Sequence, residues 1–292
     1  MVIKPEMPFL GAGMGFRPFY FDEIVDDPSK LDFFELLTEN YLTVIEGKAT
    51  VAPRRREMIE RLCELKPLVL HGVSLSIAGT DPLNREYLQG LRELADFCSP
   101  QWITDHLCWT SYGETYTQEL LPFPHTEENL EWVGSRVDYV QNFLKRPVGF
   151  ENLSSYIRPE SDMSEAEFLA ELSKKTGCGI LLDINNLIVS RINFDVDPIA
   201  AIRSLPSHSI WQLHAAGFQE KEWGALDTHA KPMANETWEL IDWFTENVGP
   251  RSTILEWDAD FPDLNVIVSQ ISMLRGKVSR DENHTSQPEG SP

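Results

Sequence analysis

The sequence predicts a single (β/α)8 barrel of the TIM type. Eight short apolar runs alternate with eight stretches of helical character along the 292 residues, and this alternation is typical of βα units around a parallel sheet. A chain of this length is ordinary for one such barrel. The main alternative is an open, doubly wound nucleotide-binding sheet. The absence of a GxGxxG loop after a first strand and of a GxxxxGK[ST] loop argues against it.

Each predicted unit is a strand followed by a helix. The predicted strands lie within residues 11–17, 33–38, 68–75, 102–109, 148–153, 179–184, 210–215 and 252–257. The predicted helices lie near residues 21–25, 54–65, 84–97, 127–144, 164–174, 198–204, 236–247 and 264–274. Helical spacing of Tyr87, Leu91 and Leu94 supports the third helix. A capping box of Ser164 and Glu167 marks the start of the fifth helix.

We expect one folded domain over residues 1–278, followed by a disordered tail over residues 279–292. The tail sequence is polar and has no hydrophobic periodicity, so it has nothing to bury in a core. The two parts are therefore assigned separately, and all chemistry is expected in the first.

The composition excludes several classes of function. A net charge of −21 repels phosphate backbones, so we expect no nucleic-acid partner. The chain has no apolar run of transmembrane length and no secretion signal at its start, so we expect no membrane partner. Its four cysteines are scattered without a CxxC pair, which is typical of reduced thiols in the cytoplasm.

Histidine, aspartate or glutamate follows the apolar core of six successive predicted strands. The carboxyl ends of the strands of a barrel converge on one face, where the active sites of such enzymes lie. Two further residues of the same kind sit between the seventh strand and its helix. Together the eight are His71, His106, Glu151, Asp183, His214, Asp227, His229 and Glu256.

These eight side chains predict a metal centre. Charged groups at half-buried positions are costly unless they are paired or bound to a cation. A single histidine after an apolar strand is more often a hydrogen-bonded core residue, so the prediction depends on the joint pattern. Imidazole and carboxylate without thiolate suit iron, manganese or zinc in a catalytic site. Eight donors are too many for one ion, which indicates two or three ions that share carboxylates.

A second group of polar residues is predicted on the same rim as weaker candidates for substrate binding. They are Arg17, Glu39, Asn40, Asn152 and Ser154. Such groups could hold a peptide backbone or a carboxylate. Ordinary capping of the loops explains each of them equally well.

The strand-end motifs resemble a known family. The segments LTENY, LHGVSLSI, DPLN, TDHLCW, ENLSSY, LLDINN, LHAAG, DTH and LEWD occur in this order between residues 37 and 258. They are similar to those of the DUF692 (UPF0276) family, the multinuclear non-heme iron-dependent oxidative enzymes. The similarity extends over about residues 11–274.

The resemblance implies a TIM barrel with two or three irons, in mixed Fe²⁺ and Fe³⁺ states, held by the eight residues above. Asn186 and Asp258 are weaker candidates for a third ion, and we assign His71, His214 and Asp183 to the catalytic step. The family resemblance also implies a cysteine-containing, ribosomally made precursor peptide as substrate and O₂ as oxidant. A small partner protein that recognises the leader of the precursor is expected as well.

Two alternatives stay open. A metal-dependent hydrolase or isomerase on a xylose-isomerase-like barrel would use similar ligands with zinc or manganese, and it would not depend on O₂. A non-catalytic metal-binding protein would hold ions without turning over any peptide. Neither the peptide nor its product follows from the residues, because a fold does not fix a function.

Overall fold

Eight parallel strands close into a barrel in the computed structural model, which describes residues 7–113 and 115–278. The barrel strands are β1 (Ala12–Gly15), β2 (Phe34–Leu37), β3 (Leu68–Gly72), β4 (Ile103–His106), β5 (Val148–Glu151), β6 (Gly179–Asp183), β7 (Ile210–Ala215) and β8 (Ser252–Leu255). Each pairs in parallel with its neighbours along the chain, and β1 pairs with both β2 and β8. The predicted fold class is therefore confirmed, and each predicted strand contains a barrel strand.

Helices connect the strands on the outside of the barrel. They are α1 (Phe21–Asp26), α2 (Arg56–Leu65), α3 (Arg85–Cys98), α4 (Glu127–Leu144), α5 (Glu165–Thr176), α6 (Ile184–Phe194), α7 (Pro198–Ser204), α8 (Asn235–Asn247) and α9 (Leu264–Val278). The predicted capping box at Ser164 and Glu167 opens α5. Residues 279–292, predicted as a tail, lie outside the described residues, and so do residues 1–6 of the predicted domain.

Helix α6 was not predicted. Its first seven residues, 184–190, are all buried although Asn185, Asn186 and Ser190 are polar, so its polar side chains do not mark an exposed face of a helix. The side chain of Asp183 begins this helix by accepting a hydrogen bond from the backbone N–H of Asn186 over 2.6 Å. The strand end and the helix start are thus one residue, which fixes Asp183 at the mouth of the barrel.

Three β-hairpins in the described part of the chain were also not predicted. They join Leu42–Ile45 to Lys48–Val51, Trp109–Tyr112 to Thr115–Leu121, and Phe218–Lys221 to Gly224–Asp227. They follow β2, β4 and β7, so all three stand on the face where the strands end. They were missed because polar residues interrupt their apolar ones, so neither a continuous apolar run nor a regular alternation marks these strands.

The barrel interior is filled in layers. Phe33, Val69, Trp102, Trp211 and Ile254 pack together at the amino-terminal end of the strands. The Trp211 ring lies against Gly179, where an added Cβ would be 2.1 Å from a ring atom. Because side chains alternate between the two faces of a strand, residues two positions beyond Phe33, Val69, Trp102 and Ile254 also face inward, toward the carboxyl ends.

Most of the remaining apolar side chains form one core between the barrel and its helices. This core packs against the outer face of the strands and stabilises the barrel. Polar side chains can therefore occupy the interior layer at the carboxyl ends of the strands. None of the described helices is both long and apolar enough to cross a bilayer.

Candidate metal centre

The predicted strand-end residues meet at the carboxyl-terminal mouth of the barrel. The sheet register places His106 beside Glu151 and Asp183 beside His214. All four are 9% exposed or less, and His71 is 2% exposed. The convergence expected from the strand order is therefore present in the structure.

Glu151 is at the centre of this cluster. Its Oε2 lies 3.2 Å from Nε2 of His71 and 3.2 Å from Nε2 of His106. Its Oε1 lies 3.3 Å from Nδ1 of His214. One carboxylate thus faces three imidazoles from three different strands, which is the position of a bridging ligand.

Glu256 connects this cluster to the loop after β7. Its Oε2 lies 3.1 Å from Nδ1 of His214 and 3.2 Å from Nδ1 of His229. Nε2 of His229 is 2.6 Å from Oδ1 of Asp227, and Nδ1 is 2.9 Å from Oδ2 of Asp258. His229 has a left-handed backbone with φ of 45°, unusual for a residue with a side chain. This conformation is part of the turn that places its ring among the three carboxylates.

Several buried atoms of the cluster make no hydrogen bond of good geometry, although four of them lie near an oppositely charged group. They are Nε2 of His71, Oε2 of Glu151, Oδ2 of Asp183, Nδ1 of His214 and Nε2 of His229. Leaving such atoms unpaired is costly, and buried polar groups are almost always satisfied. Donor atoms within 4.8 Å of one another form three groups that could hold an ion: His71–Glu151–His214, Glu151–Asp183–His214–Glu256, and His229–Glu256–Asp258. Metal ions fit this arrangement, since each unpaired atom is an imidazole or carboxylate donor.

The opposite nitrogens of two histidines are already engaged. Nδ1 of His71 lies 2.9 Å from the Thr104 hydroxyl, and Nδ1 of His106 lies 3.0 Å from the Gly72 carbonyl. A carbonyl only accepts, so His106 carries its proton on Nδ1 and leaves Nε2 free to bind an ion. The sequence contains no signal for these contacts, because they depend on which residue the neighbouring strand places opposite.

The charges of the cluster are strongly coupled. Burial alone would lower the pKa of His214 and of His229, but the carboxylates that face them outweigh it and raise both pKa values well above the ordinary value. Burial would raise the pKa of Glu256, but the same two histidines hold it well below its usual range. Burial and Glu151 raise the pKa of Asp183. Burial and the neighbouring His106 and His214 lower the pKa of His71. The carboxylates therefore favour positive charge within the cluster, which a bound cation could supply.

A cavity of about 820 Å³ opens above the cluster. Six of the eight predicted ligands line it, namely His71, His106, Glu151, Asp227, His229 and Glu256. Asp183 and His214 are fully buried, each 0% exposed, and lie in the wall behind them. Small groups can therefore reach the donors only from the open face of the barrel.

Three of the five residues predicted to bind substrate line this cavity: Arg17, Asn40 and Ser154. Arg17 pairs with Oδ1 of Asp258 at 2.5 Å and also donates to the Trp257 carbonyl. The other two are engaged inside the protein. Glu39 accepts from the Val73 N–H and the Tyr87 hydroxyl, and Asn152 exchanges hydrogen bonds with the backbone of Asp183.

Sequence reasoning did not single out Glu35, which is 3% exposed and lies beside His214. A charged residue in the middle of the apolar run of β2 is itself unusual and could have marked the position. Asp258, expected only as a weak candidate, pairs with His229. Asn186, the other weak candidate, lines the cavity, and its Oδ1 is buried and has no hydrogen-bond partner.

Known proteins of similar sequence cover nearly the whole described part of this chain. The sequence model of the family described as RiPP precursor modification enzyme MbnB/TglH/ChrH matches residues 11–278. A UPF0276 protein of Anaeromyxobacter sp. (strain Fw109-5) is 41% identical over 264 residues, 89% of this chain and 90% of that protein. A UPF0276 protein of Caulobacter vibrioides is 36% identical over 272 residues, 92% of this chain and 95% of that protein.

Solved structures resemble the chain in fold. Endonuclease IV from Thermus thermophilus superimposes with a TM-score of 0.58 at 14% identity, covering 92% of this chain and 100% of that one. D-psicose 3-epimerase from Clostridium cellulolyticum does so with a TM-score of 0.56 at 14% identity, covering 92% and 95%. At such identities the likeness shows the barrel fold alone.

Proposed function

This chain belongs to the family of RiPP precursor modification enzymes MbnB/TglH/ChrH, and on that premise we propose that it oxidises cysteine in a ribosomally synthesised precursor peptide. The reaction would use O₂ as electron acceptor at a multinuclear non-heme iron centre. The observation that carries the proposal is the convergence of buried, unpartnered imidazole and carboxylate atoms on one cavity.

The arrangement of donors supports two or three ions. Glu151 and His214 each belong to two of the three donor groups, and Glu256 also belongs to two. A carboxylate has two oxygens, so Glu151 and Glu256 can each bridge neighbouring ions. His106 approaches Glu151, and Asp227 approaches His229, so both complete the proposed set of eight ligands.

This set of donors suits catalytic iron better than structural zinc. The donors are imidazole and carboxylate. Cys108 is the cysteine nearest to the proposed ligands in sequence. It is buried, and burial raises the pKa of its thiol well above the usual range, so the thiol is uncharged. Iron held here would supply one-electron redox chemistry and Lewis acidity. Zinc or manganese remains the alternative for the same donors.

The residues proposed for the catalytic step are His71, His214 and Asp183. They come from β3 and from the adjacent strands β6 and β7 on the opposite side of the barrel, so they fix the centre from two sides. Buried side chains on rigid strands hold their donor atoms in place with little freedom to relax.

The substrate would enter from the open face. A volume of about 820 Å³ is in the range of small-molecule pockets, so only a short segment of a peptide can lie in the cavity. Arg17, Asn40 and Ser154 stand at its wall and offer one guanidinium, one amide and one hydroxyl to the peptide backbone. Glu39 and Asn152 would support the loops around it instead.

Exposed apolar side chains surround the same face, which supports a partner protein that presents the peptide. They lie on the loops and hairpins that follow β1, β2, β4, β5, β7 and β8 and include Phe19, Val44, Ile45, Tyr112, Tyr116, Tyr156, Ile157, Trp223 and Phe261. Clustered apolar side chains on a water-facing surface are typical of protein contacts. The leader-recognition partner is therefore proposed to dock on this rim.

The test is turnover of a cysteine-containing precursor peptide by the iron-loaded protein. Incubation with O₂ is expected to change the mass of the peptide at cysteine, and incubation without O₂ is expected to leave it unchanged. His71→Ala should abolish the change, whereas the matched control His208→Ala, at an exposed position before β7, should retain it. O₂-independent turnover of the substrate would favour a hydrolase or isomerase, and metal binding without any turnover would favour a non-catalytic protein.

A further inference from the structure

A row of buried polar side chains runs through the barrel interior beneath the metal centre. Glu35 of β2 is 3% exposed, and its two carboxylate oxygens lie 2.9 and 3.0 Å from Nε2 of His214. Gln212 of β7 donates from Nε2 to Oε2 of Glu35 over 2.5 Å. Trp102, just before β4, donates from Nε1 to Oε1 of Gln212 over 2.7 Å.

We propose that Glu35 is a positioning residue that fixes the ring orientation and tautomer of His214, and that Gln212 and Trp102 hold Glu35 in place for this role. The inference rests on the proposed metal centre, because it concerns how one ligand is presented to an ion. It does not depend on the reaction that the centre performs.

The tautomer follows from the chemistry of the partners. A carboxylate can only accept a hydrogen bond, so the His214 nitrogen facing Glu35 must carry a proton. That nitrogen is Nε2, which leaves Nδ1 as the donor atom for an ion. Nδ1 is also the nitrogen without a hydrogen-bond partner, and it faces Glu151 and Glu256 at 3.3 and 3.1 Å.

The contact behind His214 differs from those behind two other histidines of the centre. His71 faces the neutral hydroxyl of Thr104, and His106 faces the neutral carbonyl of Gly72. A carboxylate behind a metal-binding imidazole makes it a stronger donor than a neutral acceptor does, and outer partners of this kind typically change metal affinity about 10- to 100-fold. His214 is therefore the most strongly donating of these three ligands.

Gln212 and Trp102 complete the row. A buried carboxylate is costly unless its oxygens are hydrogen-bonded, and Gln212 supplies the second donor that Glu35 requires. The amide of Gln212 could adopt either of two orientations. Because the Trp102 N–H can only donate, it fixes the orientation in which the Gln212 oxygen faces the indole. The indole thus turns the NH₂ group of Gln212 toward Glu35. All three side chains are 3% exposed or less, so water cannot take their places.

The decisive variant is Glu35→Gln, which keeps the shape and removes the charge. Both oxygens of Glu35 face Nε2 of His214, and Oε2 also accepts from Gln212, so the NH₂ group of the new amide lies beside Nε2 of His214 in either orientation. When NH₂ faces Nε2 of His214, the histidine proton moves to Nδ1 and blocks the atom that faces the ions. We therefore expect metal affinity to fall about 10- to 100-fold with the number of ions at saturation unchanged.

The experiment titrates Co²⁺ anaerobically into the full-length protein after chelator treatment. Ions per chain are counted by elemental mass spectrometry, and the visible absorption of Co²⁺ reports its ligand field. Glu239→Gln, at an exposed position on α8, is the matched control. The melting temperature of the metal-free protein shows whether each variant is folded.

Trp102→Phe removes one N–H group and leaves the contacts of His214 itself unchanged. It tests the positioning role if Glu35→Gln does not fold. It is expected to weaken binding in the same direction, by a smaller factor, and to shift the Co²⁺ absorption. Unchanged affinity in the folded variants would overturn the positioning role. Loss of one whole ion at saturation in Glu35→Gln would also overturn it, since Glu35 would then be a direct ligand. Failure of the unsubstituted protein to bind Co²⁺ or Fe²⁺ would instead refute the proposed metal centre.

Discussion

Replacing Glu151 by Gln should remove most of the stabilisation that metal ions give to this protein. Glu151 is 1% exposed and belongs to two of the three donor groups, so its charge serves two proposed ions. The third group, His229–Glu256–Asp258, does not include it. The variant should therefore keep one ion and lose the bridging carboxylate of the others.

The size of the effect follows from mass action. An ion present at 100 times its dissociation constant stabilises the folded state by about 2.7 kcal/mol, so two such ions add about 5 kcal/mol. At about 2 °C per kcal/mol, the low end suited to a chain of this size, the loss of both lowers the metal-dependent rise in Tm by about 10 °C. The rise that remains should correspond to one ion.

The assay is thermal unfolding of the chelator-treated protein with and without Fe²⁺ under anaerobic conditions. Glu239→Gln on the exposed face of α8 is the control and should show the full rise. If Glu151→Gln showed the same metal-dependent rise as the unsubstituted protein, the role of Glu151 as a shared ligand would be refuted.

Three further predictions concern other parts of the molecule. Gly179→Ala should destabilise the protein by about 1–3 kcal/mol or more in chemical denaturation, because its Cβ would lie 2.1 Å from the ring of Trp211; a variant as stable as the original would contradict the packing. Burial lowers the pKa of His125 to about 4, so the native state loses up to about 3 kcal/mol as the pH falls from the unfolded value of about 6.5 through 4. His125→Gln should flatten that part of a stability-versus-pH curve, and an unchanged curve would exclude His125 as its cause. Arg17→Gln should raise the KM for the peptide and leave the metal content unchanged, and loss of metal in this variant would place Arg17 in the support of the centre instead.

The barrel and the convergence of its strand-end side chains could be predicted because both depend on local sequence. Each strand is a short apolar run, and the position of a ligand such as His71 or Glu151 is fixed by the end of that run. Since parallel strands of a barrel end on one face, the order of the runs was enough to predict that these side chains converge. The structure places Nε2 of His71 3.2 Å from Oε2 of Glu151.

Other features could not be predicted because they depend on contacts between distant segments. Glu35 lies inside the apolar run of β2. Its role depends on a contact with His214 of β7, which is 179 positions away in sequence. Asn152 and Glu39 follow strands as rim residues do, but their side chains turn to the backbone of β6 and to the segment after β3. Helix α6 was missed because its polar residues Asn185, Asn186 and Ser190 are buried and do not mark an exposed face of a helix.

The most direct test of the central claim is the metal content of the protein purified anaerobically without a chelating tag. Elemental mass spectrometry is expected to find two or three irons per chain, with fewer in His214→Ala and the full number in the control His208→Ala. Zinc or manganese alone, with no uptake of iron on reconstitution, would contradict the iron centre. Absence of any bound metal would contradict the claim that these converging side chains are ligands at all.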